Sequence, residues 1–382
     1  MLVFEALRAK YGDALLLHWG TAAQPRLAVV DGGPPGVFAD ALKPRLAELR
    51  AERGLADDEP LAIDLVMVSH LDEDHVAGLL QMMQKVKELE EAQEPVPWRV
   101  RRFWHNAFDD LLGNDEVGVG VAGSAVSVAA LGDLLLGEGS KLVASVPQGR
   151  NLAKLLKALD LDGNPPFGGL VRLRKEPVEL DGLKLTVVAP LDSELKALQK
   201  TWDQKIKPLL KKERTPAGQA EIAAFVDDSV FNLSSLVVLV EKGAKRILLT
   251  GDARGDHTLA GLEQAGRLDG DGKLRLDVLK VPHHGSDRNV EVDYFRRLRA
   301  KHYVISADGK FDNPDIDTLE MIAAARPDDA FTLHLTYPTD EFNVPAVGKR
   351  VAKFLTAQKK KGRKFKVETR KAAELGVTLK LA

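Results

Sequence analysis

The chain of 382 residues contains no cysteine. That absence excludes disulfides and any zinc–thiolate site, so a bound metal must be held by His, Asp or Glu. Aromatic residues are scarce, at 5%, so a core must be built from Leu, Val and Ala. No run is long and apolar enough to span a bilayer. The closest approach is Val117 to Gly132, 16 uncharged residues rich in Gly, Ala and Ser between Glu116 and Asp133, which reads as a buried segment or packed loop. Met1 to Glu5 shows no basic segment followed by an apolar one, so no secretory leader is expected and the cytoplasm is the expected location. Charge imbalance is also missing: 54 Lys and Arg against 56 Asp and Glu give −2, which announces no polyanion partner for the chain as a whole.

What is present belongs to a globular protein, 45% apolar and 29% charged. The length suffices for a large core in one big domain or two ordinary ones. Strand patterns occupy Leu2 to Leu7, Ala14 to Trp19 and Arg26 to Val30, followed by a helix (Ala39 to Arg53), a strand (Leu61 to Val68) and a helix from Val76 to Glu91. Further strands are expected at Arg99 to Trp104, Val171 to Leu173, Leu183 to Ala189, Leu233 to Val240, Arg246 to Thr250, Leu276 to Val281, His302 to Ser306 and Gly376 to Leu381. Helices are expected at Asn151 to Leu159, from Ser193 to about Ile206, and at Val292 to Ala300 and Thr318 to Ala325. The pattern predicts one domain over 1–382, with two strand-rich halves near 1–165 and 166–382 covered by helices. Ile206 to Asp228, with two prolines and a charged run, is expected to be a mobile connector.

The densest chemistry is His70-Leu71-Asp72-Glu73-Asp74-His75, four candidate ligands within six residues at the end of a strand. Alternating positions in an extended turn project to one side, so His70, Asp72 and Asp74 can converge, and imidazole with carboxylate suits first-row divalent metals. Three other strand ends carry similar groups: Asp31-Gly32-Gly33, Gly251-Asp252, and His283-His284-Gly285-Ser286. Loops beyond the carboxyl ends of strands share one rim. Four such rims in a chain with only nine histidines point to one metal centre.

Taken in order, His70-x-Asp72-x-Asp74-His75, Gly251-Asp252 and His283-His284-Gly285-Ser286 resemble the metallo-β-lactamase superfamily. The branch most similar is that of the soluble hydrolase domain of the ComEC competence protein. Gly12-Asp13-Ala14, Asp31-Gly32-Gly33 and Asn232-Leu233-Ser234-Ser235-Leu236 extend the resemblance, which runs from about residue 10 to about 315. It implies an α/β (α+β) fold, the αββα four-layer sandwich of the metallo-β-lactamase type, with one or two divalent ions, zinc or manganese. It implies His70 and Asp72 on one metal, Asp74 and His75 on the other, and Asp252 as the bridging carboxylate. One of His283 and His284 completes the second site, with His284 favoured. Two departures stand out. Asp72 replaces the superfamily's usual second His and tilts the site toward oxygen-preferring metals. No clear middle histidine exists either: His105 is the only His between 75 and 257, and it reads as structural or as supporting a ligand from behind. Asn313 stands where related domains carry a His.

The activity implied is metal-dependent hydrolysis by an activated water, because a bound metal lowers the pKa of water from about 15.7 to roughly 7. A phosphodiesterase or nuclease is favoured, with Asp74 orienting the water and whichever of His283 and His284 is free of metal donating to the phosphoryl oxygen. The alternatives are a hydrolase of small esters, thioesters or lactams, and a metal-binding interaction module without activity. Asp31 is expected to accept a hydrogen bond behind a ligand, Ser286 to cap a turn or touch substrate, and Lys280 to be a structural strand residue. Two basic segments, 200–214 with six Lys or Arg against two acids and 349–371 with eleven against one, can track the phosphates of a nucleic acid or nucleotide. Only Phe354 and Phe365 interleave the second, so base stacking there is poorly supported.

Overall fold

The structure, a computed structural model, describes residues 1–106, 142–201, 203–204 and 235–381. The expected buried segment 117–132, the connector 206–228, residues 232–234 of the Asn232–Leu236 motif and most of the basic segment 200–214 lie outside the described residues.

The strands in chain order are β1 (Leu2–Leu7), β2 (Leu15–Gly20), β3 (Pro25–Val30), β4 (Leu61–Ile63), β5 (Leu65–Met67), β6 (Trp98–Val100), β7 (Phe103–Trp104), β8 (Val178–Leu180), β9 (Leu183–Ala189), β10 (Val237–Lys242), β11 (Lys245–Leu249), β12 (Leu274–Lys280), β13 (Leu298–Ile305), β14 (Thr332–Leu335), β15 (Lys366–Thr369) and β16 (Gly376–Leu381). The α-helices are α1 (Lys43–Glu52), α2 (Glu73–Glu91), α3 (Leu142–Ala158), α4 (Asp192–Thr201), α5 (Gly255–Gln264), α6 (Val292–Arg297), α7 (Ile316–Ala325) and α8 (Pro345–Lys360).

Two large sheets face each other. The first has the order β16-β1-β2-β3-β5-β7 and the second β15-β14-β13-β12-β11-β10-β9-β8. In the first sheet, β16 pairs antiparallel with β1, so the chain's last strand closes the sheet its first strand opened. Strands buried on both faces read as continuous apolar runs. In Leu15-Leu16-Leu17, the outer two side chains enter the core between the sheets and the middle one the core under the helices. The inter-sheet core joins Phe4, Leu17, Val30, Met67 and Trp104 of the first sheet to Leu185, Val238, Ile247 and Leu249 of the second. A second core packs Leu16, Val29 and Val66 against Leu46 of α1, Leu79 and Met83 of α2 and Leu152 of α3. A third packs Leu239, Leu248 and Tyr303 against Leu262 of α5, Phe295 of α6, Ile322 of α7 and Val351 of α8. Three apolar layers between four layers of elements make an αββα sandwich.

The strand expected over Leu61 to Val68 is two strands. It breaks at Asp64, whose buried carboxylate accepts from the Leu27 backbone N–H and from Arg26 and Arg101. β4 therefore leaves the first sheet to pair with β6, while β5 continues between β3 and β7. Val171 to Leu173, also expected as a strand, runs irregularly; the Leu173 N–H donates to the Pro190 carbonyl at 2.9 Å.

Candidate metal centre

β5 ends at Met67, and the chain turns through Ser69 and His70 before α2 opens at Glu73. Asp72 sits in an extended conformation just before the helix, with its side chain part-exposed while that of His70 is buried. Asp74 and His75 occupy the first turn of α2, where backbone N–H groups favour negative charge. From the second sheet, β11 delivers Gly251-Asp252 and β12 delivers His283-His284. Gly251 has φ +48, and a Cβ there would lie 2.9 Å from that of Ser69, so glycine lets the two rims meet. His283 and His284 are both left-handed, with φ +48 and +54. This costs on the order of 1 kcal/mol or more each, and it turns two consecutive imidazoles toward one carboxylate.

That carboxylate belongs to Asp252. Oδ1 lies 3.3 Å from His75 Nε2 and 3.6 Å from His284 Nε2. Oδ2 lies 3.7 Å from both His70 Nε2 and His283 Nε2. Each of the four imidazoles has an acceptor behind it. His75 Nδ1 is 2.9 Å from Asp31 Oδ2, and His284 Nδ1 is 3.0 Å from the Ser306 carbonyl. His70 Nδ1 is 3.1 Å from Ser69 Oγ, and His283 Nδ1 is 3.1 Å from Asn289 Oδ1. These acceptors place the proton of each neutral ring on Nδ1 and leave an Nε2 lone pair facing Asp252. A ligating His is held in this way by a carboxylate, carbonyl or similar acceptor.

Lone pairs facing a carboxylate repel unless a proton or cation lies between them. His75 Nε2 and His284 Nε2 are 3.2 Å apart, and His284 Nε2 is 3.5 Å from Asp74 Oδ2. Four donors bonded tetrahedrally at about 2.1 Å are separated by about 3.4 Å. The His75–His284, His284–Asp74, His75–Asp252 Oδ1 and His284–Asp252 Oδ1 separations, 3.2 to 3.6 Å, match that spacing. On the other side, His70 Nε2 is 3.5 Å from Asp72 Oδ2, and His70 and His283 both lie 3.7 Å from Asp252 Oδ2. His70 Nε2, Asp72 Oδ1 and Asp252 Oδ1 are buried without a hydrogen-bond partner. A buried His/Asp cluster with these donors can hold metal ions.

The protonation of the cluster points the same way. Burial pushes Asp252 up, yet His284, His75, His283 and His70 together hold its carboxyl well below the usual range. Asp74 is likewise raised by burial but held low by His284 and His75. Burial lowers His75, while Asp252 and Asp31 more than offset it and raise it well above the ordinary value. Burial and the neighbouring His75 lower His70, but Asp252 and Asp72 raise it on balance. The carboxylates thus favour positive charge beside them, and His70 and His75 are held toward the protonated form.

Each residue singled out from the sequence has a place. His70, Asp72, Asp74, His75, Asp252, His283 and His284 come together. The two histidines of the 283–284 pair face different oxygens of Asp252, His284 Oδ1 and His283 Oδ2. Asp31 accepts from Ser69 N and Oγ as well as from His75. Ser286 closes its turn through its backbone N–H to the His283 carbonyl, and its side chain makes no capping bond. His105 is on the same rim but not in the cluster: its ring packs on Phe103, and burial lowers it to about 4.

Asp13 and Lys280 were missed as site residues. Lys280 is fully buried and forms an ion pair with Asp13 Oδ2. Asp13 Oδ1 is 3.6 Å from His284 Nδ1, and its Oδ2 is 3.9 Å from His75 Nδ1. Although Asp13 groups with His75, Asp252 and His284 by proximity, it faces their Nδ1 edges, so it supports the ligands from behind. The signal was Gly12: a Cβ there would lie 1.9 Å from the Asp74 carbonyl oxygen, which makes the β1–β2 turn part of the site floor.

No family model matches the chain, and no curated protein matches it in sequence. Among solved structures it is similar to the metallo-β-lactamase-fold protein YhfI from Bacillus subtilis, at 11% identity over 99% of both chains with a TM-score of 0.40. Zinc-bound PqqB from Methylobacterium extorquens gives 10% identity over 99% of this chain and 100% of that one, with a TM-score of 0.37. A mutant of the CmlA β-hydroxylase gives 12% identity and a TM-score of 0.38; this chain is covered to 99% but spans only 54% of that one. What the centre can do is set by its own residues.

Proposed function

We propose that the chain is a metal-dependent hydrolase with a dinuclear centre that cleaves phosphodiesters of nucleic acid or nucleotides. The observation that carries this reading is Asp252, whose two oxygens face two separate donor groups. One ion would be held by Asp74, His75, His284 and Asp252 Oδ1, and the other by His70, Asp72, His283 and Asp252 Oδ2. Formal charge supports two ions: Asp13, Asp31, Asp72, Asp74 and Asp252 against Lys280 leave four negative charges, which two divalent cations neutralise. Nitrogen and carboxylate donors without thiolate suit zinc or manganese.

Such ions supply Lewis acidity and an acidified water, and a pair about 3.5–4 Å apart suits the two oxygens exchanged at a phosphodiester. The chain's own residues do the rest. Asp31, Ser69, Asn289 and the Ser306 carbonyl fix the four imidazoles, and Asn289 Nδ2 also donates to the Asp252 carbonyl oxygen at 2.8 Å. Asp74 orients the attacking water. The mouth lies at Asp72 and His283, the most exposed donors, with side chains 22% and 29% accessible. The basic run 349–371 begins on α8, where Arg350 pairs with Asp312 at 2.8 Å, and it offers charges for a substrate's other phosphates.

The test is hydrolysis of bis-p-nitrophenyl phosphate and of single-stranded DNA by the manganese- or zinc-loaded chain, beside a panel of lactams and thioesters, with metal content measured in parallel. Diester turnover with two equivalents of metal is expected. Tight metal binding with no diester turnover would overturn the phosphodiesterase reading.

A further inference from the structure

In a chain so poor in aromatics, Phe311 is the one aromatic ring among the described residues that stands exposed, at 55%. Its backbone has φ +57 and ψ +25, a region a bulky side chain rarely adopts and one that carries strain. Gly309 at φ +86 precedes it and Asp312 at φ +68 follows it. The surrounding structure holds the loop in this shape. Asn313 Nδ2 donates to the His283 carbonyl oxygen at 3.4 Å, Asp315 N to the Gly285 carbonyl at 3.0 Å, and Arg350 to Asp312 at 2.8 Å.

The ring is not isolated. Tyr11 meets it edge-to-face, with centroids 5.4 Å apart, and the Tyr11 hydroxyl donates to Glu73 Oε1 at 3.4 Å. Glu73 lies between the candidate ligands Asp72 and Asp74. The Lys310 ammonium sits 3.6 Å from the Tyr11 ring centroid and 4.9 Å from that of Phe311. A ledge of two rings and one cation therefore runs from Glu73 to Asn313, tied at both ends to residues that carry the metal donors. Phe311 is the more exposed of its two rings, and the ledge meets α8 where Asp312 pairs with Arg350, at the start of the basic run.

An exposed ring held in a strained backbone beside a cation, at the mouth of a centre suited to phosphodiesters, fits a ligand with one flat apolar group and one anionic group. A nucleobase and its phosphate have that chemistry, and every base offers a face for stacking. We propose that Phe311, backed by Tyr11 and Lys310, is the docking ledge for the base of a nucleotide whose phosphodiester enters the metal centre. The proposal rests on the phosphodiesterase reading and names its substrate class. Phe354 and Phe365, the aromatics of the basic run itself, have no such role: Phe354 is buried, and Phe365 packs against the core, stacked on Phe331.

Equilibrium binding to the manganese-loaded full chain tests the ledge without requiring turnover. The probes are adenosine monophosphate, ribose 5-phosphate and a single-stranded five-nucleotide adenylate. Phe311→Ala is expected to weaken adenosine monophosphate, the oligomer or both by about tenfold, the size of one lost base–aromatic stack. Ribose 5-phosphate, which lacks a base, should change less than twofold. Phe311→Trp should restore affinity to within about threefold of the parent chain. A loss for the monomer alone assigns free nucleotides, and a loss for the oligomer assigns nucleic acid. Unchanged binding of both base-bearing probes in Phe311→Ala overturns the proposal, as does an equal loss for ribose 5-phosphate. A chain that passes this test yet hydrolyses no diester loses the catalytic reading and keeps the ledge.

Discussion

Replacing Asp252 by Asn keeps the shape of the side chain and removes the charge that both donor groups share. Metal content measured by mass spectrometry should fall from two equivalents to one or none, and diester hydrolysis by about 100-fold or more, because the remaining imidazoles lose their common partner. Asn289→Ala is the milder counterpart. It frees the His283 ring and the Asp252 backbone without touching a donor atom, and loss of such a support weakens metal affinity by about 10- to 100-fold; calorimetric titration checks it. A different acid reports on stability. Glu5 is buried in the first sheet, and although burial pushes its carboxyl up, Arg45 and His18 pull it down to about 2. A depressed carboxylate stabilises the fold above its unfolded value of 4.5 and loses that contribution as pH falls from about 4.5 toward 2. The gap corresponds to about 3 kcal/mol. Glu5→Gln should flatten this part of the acid-unfolding profile followed by circular dichroism, and an unchanged profile would show that the pair contributes nothing.

Elements position the donors through places where a side chain has no room. Gly12 is the sharpest case, since its backbone touches the first turn of α2 at Asp74. Gly12→Ala should cost about 1–3 kcal/mol through overpacking and lower metal affinity together with melting temperature. Retention of both would mean that the β1–β2 turn is not part of the floor. The sequence pattern located most strands, and β1, β9, β16 and the start of α6 agree with expectation to the residue. It failed at Asp64 because a periodicity of apolar residues does not register a buried carboxylate that collects Arg26, Arg101 and the Leu27 N–H. α5 was missed at Gly255, and α8 was bounded only through the basic run it carries. Its apolar face is Val347, Val351 and Phe354, and the lysines between them dominate the composition.

At the scale of the whole molecule, the two sheets enclose one core and meet at one rim. Trp104 is fully buried between the sheets, and its indole N–H donates to the Pro165 carbonyl at 2.7 Å. Trp104→Ala should cost about 3–5 kcal/mol, read by denaturant unfolding. A smaller loss would show that the inter-sheet core closes over the gap. The basic run is testable at this scale as well. Replacing Lys359, Lys360 and Lys361 by Gln should weaken binding of single-stranded DNA and lower its salt dependence, by up to about one unit of slope for each phosphate no longer neutralised. An unchanged slope would place the nucleic acid elsewhere.

The sequence by itself determined which residues are candidates for metal binding. His70 to His75, Asp252 and the 283–284 pair stand at the ends of apolar strands, where backbone pairing stops and side chains turn to a common rim, and the absence of cysteine left only His, Asp and Glu as strong donors. Tertiary structure alone decided which oxygen of Asp252 each imidazole faces, because left-handed turns and acceptors such as Asn289 and Ser306 set the ring orientations. It also brought Asp13 under the site with Lys280 and raised Phe311 at its edge. These are contacts between segments far apart in the chain, fixed by packing and by the cost of burying unpaired charge, and no local pattern of residues records them.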